Sequence, residues 1–338
     1  MSNAPAKRTL VTGATGFVGS ALVERLAATP GWVPVLSLRR APEPPPVHPW
    51  LVAGELSPDN DWREALRGCG AVVHCAARVH VMYETATDAL AAFRKVNVEG
   101  TLNLARQAAE ARVKRFIFLS SVKVNGEQTI LHPDSLPQGE GNVSCFTEQD
   151  TPIPEDAYGI SKLEAEQGLL QLSRETGMEV IIIRPPLVYG PGVKANFLSM
   201  MQWLSKGVPL PLGAIYGNKR SLVALDNLVD FIITCLDHPA AANQTFLVSD
   251  GEDLSTTELL TRTAKALGKP ARLLPVPQKL LVFALKLFGK DALARRLCGS
   301  LQVDISKARD LLGWTPPVTV DEGLRKTAQA FLAAQRNH

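Results

Sequence analysis

Cysteine is scarce and unpatterned: five residues, at 69, 75, 145, 235 and 298, form no CxxC and no even framework. That excludes a disulfide-stapled scaffold and a cysteine-built zinc site, and leaves reduced, packed thiols as in a cytoplasmic protein. Charge of one sign is equally lacking, since 36 Lys and Arg face 33 Asp and Glu for a formal net of +3. Without a dense basic field there is no counterion-release term to drive polyanion affinity, so a nucleic-acid partner is excluded. Long hydrophobic runs are missing too. The longest, Leu280 to Leu285, falls far short of the ~20 residues of a membrane span. MSNAPAKRTLVTGATG has no apolar signal segment ahead of its first strand, so the expectation is a soluble, cytoplasmic chain.

What is present is alternation. Between residue 7 and about 120, apolar runs (Thr9 to Thr12, Val33 to Leu38, Ala71 to His74, Arg115 to Ser120) alternate with helix-length stretches, notably from Phe17 and over 88 to 112. Continuous apolar runs such as RFIFLSS mark strands buried on both faces, and repeated βαβ units build a Rossmann-type α/β fold, a doubly wound parallel sheet. Its function is expected at the strands' C-terminal ends. Residues 1 to 184 are read as the dinucleotide-binding domain, with returning segments near 221 to 250. Residues 185 to 338 are read as a smaller C-terminal lobe interleaved with it, with Val248 and the helices from Ser255 and Asp321 returning partly to the first. The Gly/Pro-rich stretch 122 to 157 is far longer than the ~4–6 residues of an ordinary connection and reads as a substrate-side loop.

The first strand runs directly into TGATGFVGSALVERL, which sets Gly13, Gly16 and Gly19 three apart at a strand-to-helix turn. Glycine allows the tight turn and the close backbone approach that a pyrophosphate needs at a helix N-terminus. Thr15 stands where the GxGxxG pattern has its second glycine. The second strand ends LSLRR, with no carboxylate between Val33 and Pro42 to receive a ribose 2′-hydroxyl. Arg39 and Arg40 suit a 2′-phosphate instead, which favours NADP(H) and leaves NAD(H) as the alternative.

Tyr158 and Lys162 in YGISK lie four apart at the start of a predicted helix, hence on one face. A phenol with a pKa near ~10 is a poor proton-transfer group at neutral pH, and an adjacent ammonium is expected to pull that value down. Such pairs also occur on ordinary helices. What distinguishes this one is its place after the glycine turn and after the strand-end serines Ser120 and Ser121.

TGATGFVG, SSVKVNGE at 120 to 127, YGISK and RPPLVYGPG at 184 to 192 together resemble the extended short-chain dehydrogenase/reductases that act on nucleotide sugars, and the likeness continues through LLGWTPPVTVDEGL. The resemblance implies that Ser121, Tyr158 and Lys162 are catalytic, with Tyr158 and Lys162 also meeting the cofactor. It further implies cofactor contacts from Gly13, Thr15, Gly16, Phe17, Val18, Gly19, Arg39, Arg40, Leu56, Ala76, Ala77, Asn97 and Pro185, and from Glu55 in place of the usual adenine-side aspartate. Ser121, Lys123, Asn196 and Arg220 are the implied substrate contacts, with Asn196 and Arg220 on the diphosphate of a UDP-sugar. A homodimer through sheet-flanking helices is also implied.

Sugar 4,6-dehydratases of this superfamily resemble T-D-E where this chain has Ser121, Val122 and Lys123, which cannot supply the carboxyl pair. The longer strings RPPLVYGPGVKANF and CGSLQVDISKARDLLGW are similar to bacterial 4-ketoreductases of UDP-4-keto-6-deoxy-hexosamines for O-antigen and other surface polysaccharide, which gives the expected activity. The alternatives are a UDP-glucose or UDP-N-acetylglucosamine 4-epimerase with bound NAD, and a non-enzymatic dinucleotide sensor. His74 and Cys75 read as packed residues and not as ligands, so no metal is expected. His80 is placed on the substrate side, and KLLVFALKLFGK at 279 to 290 is read as a core or subunit-contact helix, with an interfacial membrane helix as the alternative.

Overall fold

A computed structural model of the chain describes residues 6–79, 88–129 and 145–336, so His80 lies outside the described residues. The chain begins β1 (Lys7–Thr12), α1 (Phe17–Ala28), β2 (Trp32–Leu38), β3 (Trp50–Val52), α2 (Arg63–Leu66) and β4 (Cys69–His74). Then come α3 (Ala89–Phe93), a π-helical stretch over Arg94–Gly100, α4 (Thr101–Glu110), β5 (Arg115–Leu119), a 3-10 turn at Val122–Val124, α5 (Ala157–Thr176) and β6 (Glu179–Arg184). The remainder is β7 (Leu187–Tyr189), α6 (Ala195–Ser205), β8 (Leu222–Ala224), α7 (Leu225–Asp237), β9 (Thr245–Leu247), α8 (Thr256–Ala266), α9 (Gln278–Leu287), α10 (Asp291–Cys298), α11 (Ser306–Leu312) and α12 (Val320–Arg336).

Seven strands form one parallel sheet in the order β3-β2-β1-β4-β5-β6-β9, and β7 and β8 pair separately. Register explains the unbroken apolar runs. Val35, Leu10, Val72, Phe116 and Val180 form one row across the sheet and pack under α2, α4 and α5, while their neighbours Leu36, Val11, Val73, Ile117 and Ile181 face α1 and α7. Both faces are covered, so the strands are mostly apolar, and the polar residues they do bury, such as Thr12, His74 and Arg184, are hydrogen-bonded. Strand order reverses between β1 and β4, and the crevice above their C-terminal ends is where a doubly wound sheet binds its ligand.

A second apolar cluster joins Tyr189, Phe197 and Met201 to Leu260 and Ala264 of α8 and Leu324 and Ala328 of α12. The expectation sent the helices from 255 and 321 partly back to the first lobe. They pack in the second, while α7 and Val248, within the segment 221 to 250 expected to return, share a cluster with Leu22 and Leu26 of α1. Apolar spacing marks these as amphipathic helices but carries no information on which sheet they cover.

Candidate active site

The glycine turn is a cradle by exclusion. Gly13 has a φ of +66°, and a Cβ there would lie 2.8 Å from the Ala76 amide nitrogen. On Gly19 it would lie 2.1 Å from the Gly13 carbonyl oxygen, so neither position can carry a side chain. Gly16 caps α1 without any side-chain bond, which leaves the first-turn amides of Phe17, Val18 and Gly19 open at the positive end of the helix. A pyrophosphate fits this set of donors, and exposed Thr15 sits at the rim. Ala76 and Ala77 follow β4 over the same turn, with the Ala76 amide donating to Thr12 Oγ1 at 3.3 Å.

Arg39 and Arg40 stand exposed past the end of β2, and Glu55 stands exposed past β3. Leu56 packs against the helical backbone at Gly100, where a Cβ would lie 2.9 Å from Leu56 Cγ. Asn97, buried in the π-helical stretch, clamps the loop after β4: its Oδ1 accepts from the Arg78 amide at 2.8 Å and its Nδ2 donates to the Arg78 carbonyl at 3.0 Å. The same Nδ2 reaches Ser161 Oγ at 3.0 Å, and that hydroxyl donates to the Tyr158 carbonyl at 2.8 Å. Asn97 therefore ties the cofactor loop to the helix that carries Tyr158. The π-helical widening that lets it do so has no sequence pattern of its own.

Ser121, Tyr158 and Lys162 meet at the ends of β5 and α5. The Ser121 hydroxyl accepts the Lys123 amide at 3.2 Å, which leaves its proton for a substrate oxygen. Asp156 caps α5 by accepting the Gly159 amide at 2.7 Å, so Tyr158 enters the site from the first turn. Its ring packs edge-on to Phe93, with centroids 6.2 Å apart. The fully buried Lys162 donates to the Leu119 carbonyl at 2.8 Å and lies 4.3 Å above the Phe118 ring. Burial pushes its ammonium down to about 8, against the opposing pull of Glu166 and Cys75.

One expectation is reversed. The ammonium was expected to depress the Tyr158 phenol, yet burial, followed by the negative charge of Asp156, holds that phenol above its ordinary value. Lys162 Nζ is 5.9 Å from the Tyr158 ring centre and is already committed to Leu119. In this arrangement the Tyr158 phenol is neutral.

Ser120, the other strand-end serine, points away from the site. Its hydroxyl donates at 2.5 Å to Glu166 Oε1, and Glu166 is gripped by Arg184 through Nε at 3.0 and 3.2 Å and Nη2 at 2.5 Å. Arg184 also donates to Asn125 Oδ1 at 3.1 Å, and the Val122 amide donates to the Pro185 carbonyl at 3.0 Å. This buried frame fixes the serine loop from beneath. Lys123, expected as a substrate contact, is paired with Glu127 at 2.8 Å and Asp156 at 2.5 Å. Burial works against its charge, but the two carboxylates outweigh that and hold it above the usual lysine range.

The loop beyond Ser121 brings the second lobe to the site. The Thr129 amide donates to the Ser300 carbonyl at 2.9 Å and the Phe146 amide to the Gln302 carbonyl at 2.8 Å. Arg220 arrives at this seam between backbone bonds to Leu254 and Leu301, and its Nη1 donates to the Arg296 and Gly299 carbonyls at 3.3 and 3.1 Å. Burial, then the like charge of Arg296, lowers its pKa, and Glu127 opposes both. Two guanidinium groups thus crowd where an anion would relieve them. Sequence reasoning missed Arg296 because only the seam brings α10 to β8. Asn196 lies exposed in the first turn of α6 with no side-chain bond among the described residues.

His74 is packed, as expected: its ring nitrogens lie 2.6 Å from Thr12 Oγ1 and 3.0 Å from Thr101 Oγ1, and burial, then Lys162, lowers its pKa to about 3. Burial pushes the Cys75 thiol up to about 12, so it is inert. A cavity of about 550 Å³ is lined by Glu148, Asp304 and Lys307 and touches none of the residues above.

A glycine cradle over the switch point of a parallel sheet, with serine, tyrosine and lysine beside it, defines a Rossmann-type dinucleotide-dependent oxidoreductase. The chain belongs to the NAD-dependent epimerase/dehydratase family, whose model matches residues 9–249. A UDP-glucose 4-epimerase of Vibrio cholerae is 50% identical over 329 residues, covering 97% of this chain and 96% of that one. A UDP-glucuronic acid 4-epimerase from Bacillus cereus, solved with NAD, superposes with a TM-score of 0.76 at 20% identity over 98% of both chains. A UDP-N-acetylglucosamine 4-epimerase from the same organism gives 0.75 at 21%, over 98% of this chain and 100% of that one. These two share the fold. The Vibrio relative bears the name of the activity offered above as the alternative, and not that of a 4-ketoreductase.

Proposed function

We propose that this chain inverts C4 of a UDP-hexose, interconverting pairs such as UDP-glucose and UDP-galactose, with a nicotinamide dinucleotide held in the glycine cradle. The observation that carries the reading is the Ser121, Tyr158, Lys162 set in a chain 50% identical, over 97% of its length, to a UDP-glucose 4-epimerase. When bound, the dinucleotide supplies a hydride acceptor and donor and, while oxidised, a positive charge in the crevice. Once its own phenolic proton has left, which the positive charge that the oxidised dinucleotide would add favours, Tyr158 takes the proton from the sugar's O4 as C4 is oxidised and returns it as C4 is reduced from the opposite face. Ser121 donates to the same oxygen in both directions. Lys162 adds positive charge from a fixed position, and Asn97 keeps the cofactor loop and the Tyr158 helix in register. Arg220 with Arg296, and Asn196 from α6, hold the diphosphate, so that binding energy remote from C4 positions the reacting carbon.

A second reading, NADPH-dependent reduction of a UDP-4-keto-6-deoxy-hexosamine, is favoured by Arg39 and Arg40 at the end of β2. An enzyme that keeps its dinucleotide through each cycle gains little from reading a 2′-phosphate, whereas one that exchanges it does. The protein is incubated with UDP-glucose, products are separated by anion exchange, and reduced nicotinamide is followed by absorbance. UDP-galactose formed without net cofactor change supports epimerisation. Its absence, together with stoichiometric NADPH loss on a UDP-4-keto sugar, replaces it with ketoreduction. In either reading the chain works as a homodimer through sheet-flanking helices, which light scattering on the eluted protein tests.

A further inference from the structure

Helix α9, expected in the core or at a subunit contact with an interfacial membrane helix as the alternative, is not a core helix: Leu281 is its one buried residue. Leu280, Phe283 and Leu287 are 58%, 65% and 73% exposed, and Phe288 just beyond the helix is 75% exposed. At 100° per residue, Leu280, Phe283 and Leu287 fall within one narrow outward stripe, and Lys279 and Lys286 lie along its flank. The inner face, Leu281 and Leu285, packs against the second lobe. This helix is therefore apolar on the side that faces water as well as on the side that does not.

Charge chooses what covers that stripe. From Gln278 to Cys298 the chain carries Lys279, Lys286, Lys290, Arg295 and Arg296 against Asp291 alone, although its whole formal net charge is only +3. A second copy seated face to face would bring these cations against themselves, which a two-fold contact cannot avoid. An anionic bilayer complements them: large apolar side chains enter the acyl boundary while flanking lysines stay at the headgroups. No helix among the described residues is long and apolar enough to cross a membrane, so the contact is with its surface.

We propose that the α9–α10 hairpin seats this protein on an anionic lipid bilayer through Leu280, Phe283, Leu287 and Phe288, with Lys279, Lys286 and Lys290 on the headgroups. Arg220 is bonded to carbonyls at the end of α10, so the seated hairpin lies directly behind the candidate diphosphate site. The proposal does not depend on which sugar the site takes.

The test is flotation of the full chain with vesicles of phosphatidylcholine alone or of equal phosphatidylcholine and phosphatidylglycerol. The protein is expected to float with the anionic vesicles only and to be released by salt. Phe283→Ser with Leu287→Ser should lower the partition coefficient about tenfold or more, because two large apolar side chains leave the interface. Lys279→Glu with Lys286→Glu should do the same. Both variants alter exposed positions outside the catalytic machinery and should keep the parental circular dichroism and turnover. Failure to float with anionic vesicles overturns the proposal, as does flotation unchanged in both variants. A species that sediments as an oligomer, loses that state in the Phe283→Ser, Leu287→Ser variant and never floats would assign the face to a second copy.

Discussion

Glu166→Ala should cost this protein about 3–5 kcal/mol, the scale for removing one partner of a buried ion pair. Glu166 and Arg184 are 2% and 6% exposed, and the carboxylate accepts from Ser120 Oγ and from both Nε and Nη2 of Arg184. Removing it leaves a guanidinium in the interior with only Asn125 Oδ1 as side-chain acceptor, at 3.1 Å, and orphans the Ser120 hydroxyl. The guanidinium dominates the cost, and the lost serine bond adds about 1 kcal/mol. Equilibrium guanidinium chloride unfolding, read by fluorescence and circular dichroism together, gives the difference. The companion variant Glu166→Leu with Arg184→Met replaces both charges by apolar volume and should recover most of the loss, because a buried pair gives little net stability over a packed apolar substitute. The two variants separate stability from placement. The double variant should fold well yet turn over more slowly, since Arg184 no longer ties Asn125 and the serine loop. A loss below about 1 kcal/mol in Glu166→Ala, or a double variant no more stable than the single, would refute the reasoning.

Tyr158→Phe should keep cofactor affinity and lose turnover by about 10²-fold or more, the scale of a positioned proton-transfer group, measured by initial rates with titration calorimetry as control. Activity should fall as pH rises through about 8, where Lys162 loses its proton. Stability should move the other way: the unfolded lysine keeps its proton to near 10.5, so the cost of the buried ammonium is full below pH 8 and is relieved between 8 and 10.5. Urea midpoints across that window should rise in the parent relative to Lys162→Met. Gly19→Ala should abolish dinucleotide binding by calorimetry while the chain stays folded by circular dichroism, because its Cβ meets the Gly13 carbonyl. Arg39→Ala with Arg40→Ala should weaken NADP(H) relative to NAD(H), and an unchanged affinity ratio would remove both arginines from the site.

The sequence by itself determined the sheet, the cradle and the candidate catalytic set, because each is local. Parallel strands covered on both faces read as near-continuous apolar runs, so RFIFLSS shows a buried strand without reference to its neighbours. A strand-to-helix turn that admits no Cβ writes its glycines at fixed spacing, and one helical turn brings Tyr158 and Lys162 to one face. Three-residue β3 is too short to show such a pattern. What only the tertiary structure decided involves residues distant in the chain. Lys162 is spent on Leu119 and buried over Phe118, so it does not depress Tyr158 as spacing alone suggested. Lys123 is locked between Glu127 and Asp156, and Arg296 joins Arg220 only because the segment after Ser121 pairs with 300 to 302. α8 and α12 look like α7 in periodicity, yet they join a different apolar cluster, and α9 has a core-like composition with its apolar stripe in water. Periodicity records that a face is apolar, while the partner of that face, and the charge that meets a titrating group, depend on contacts between segments that local sequence does not specify.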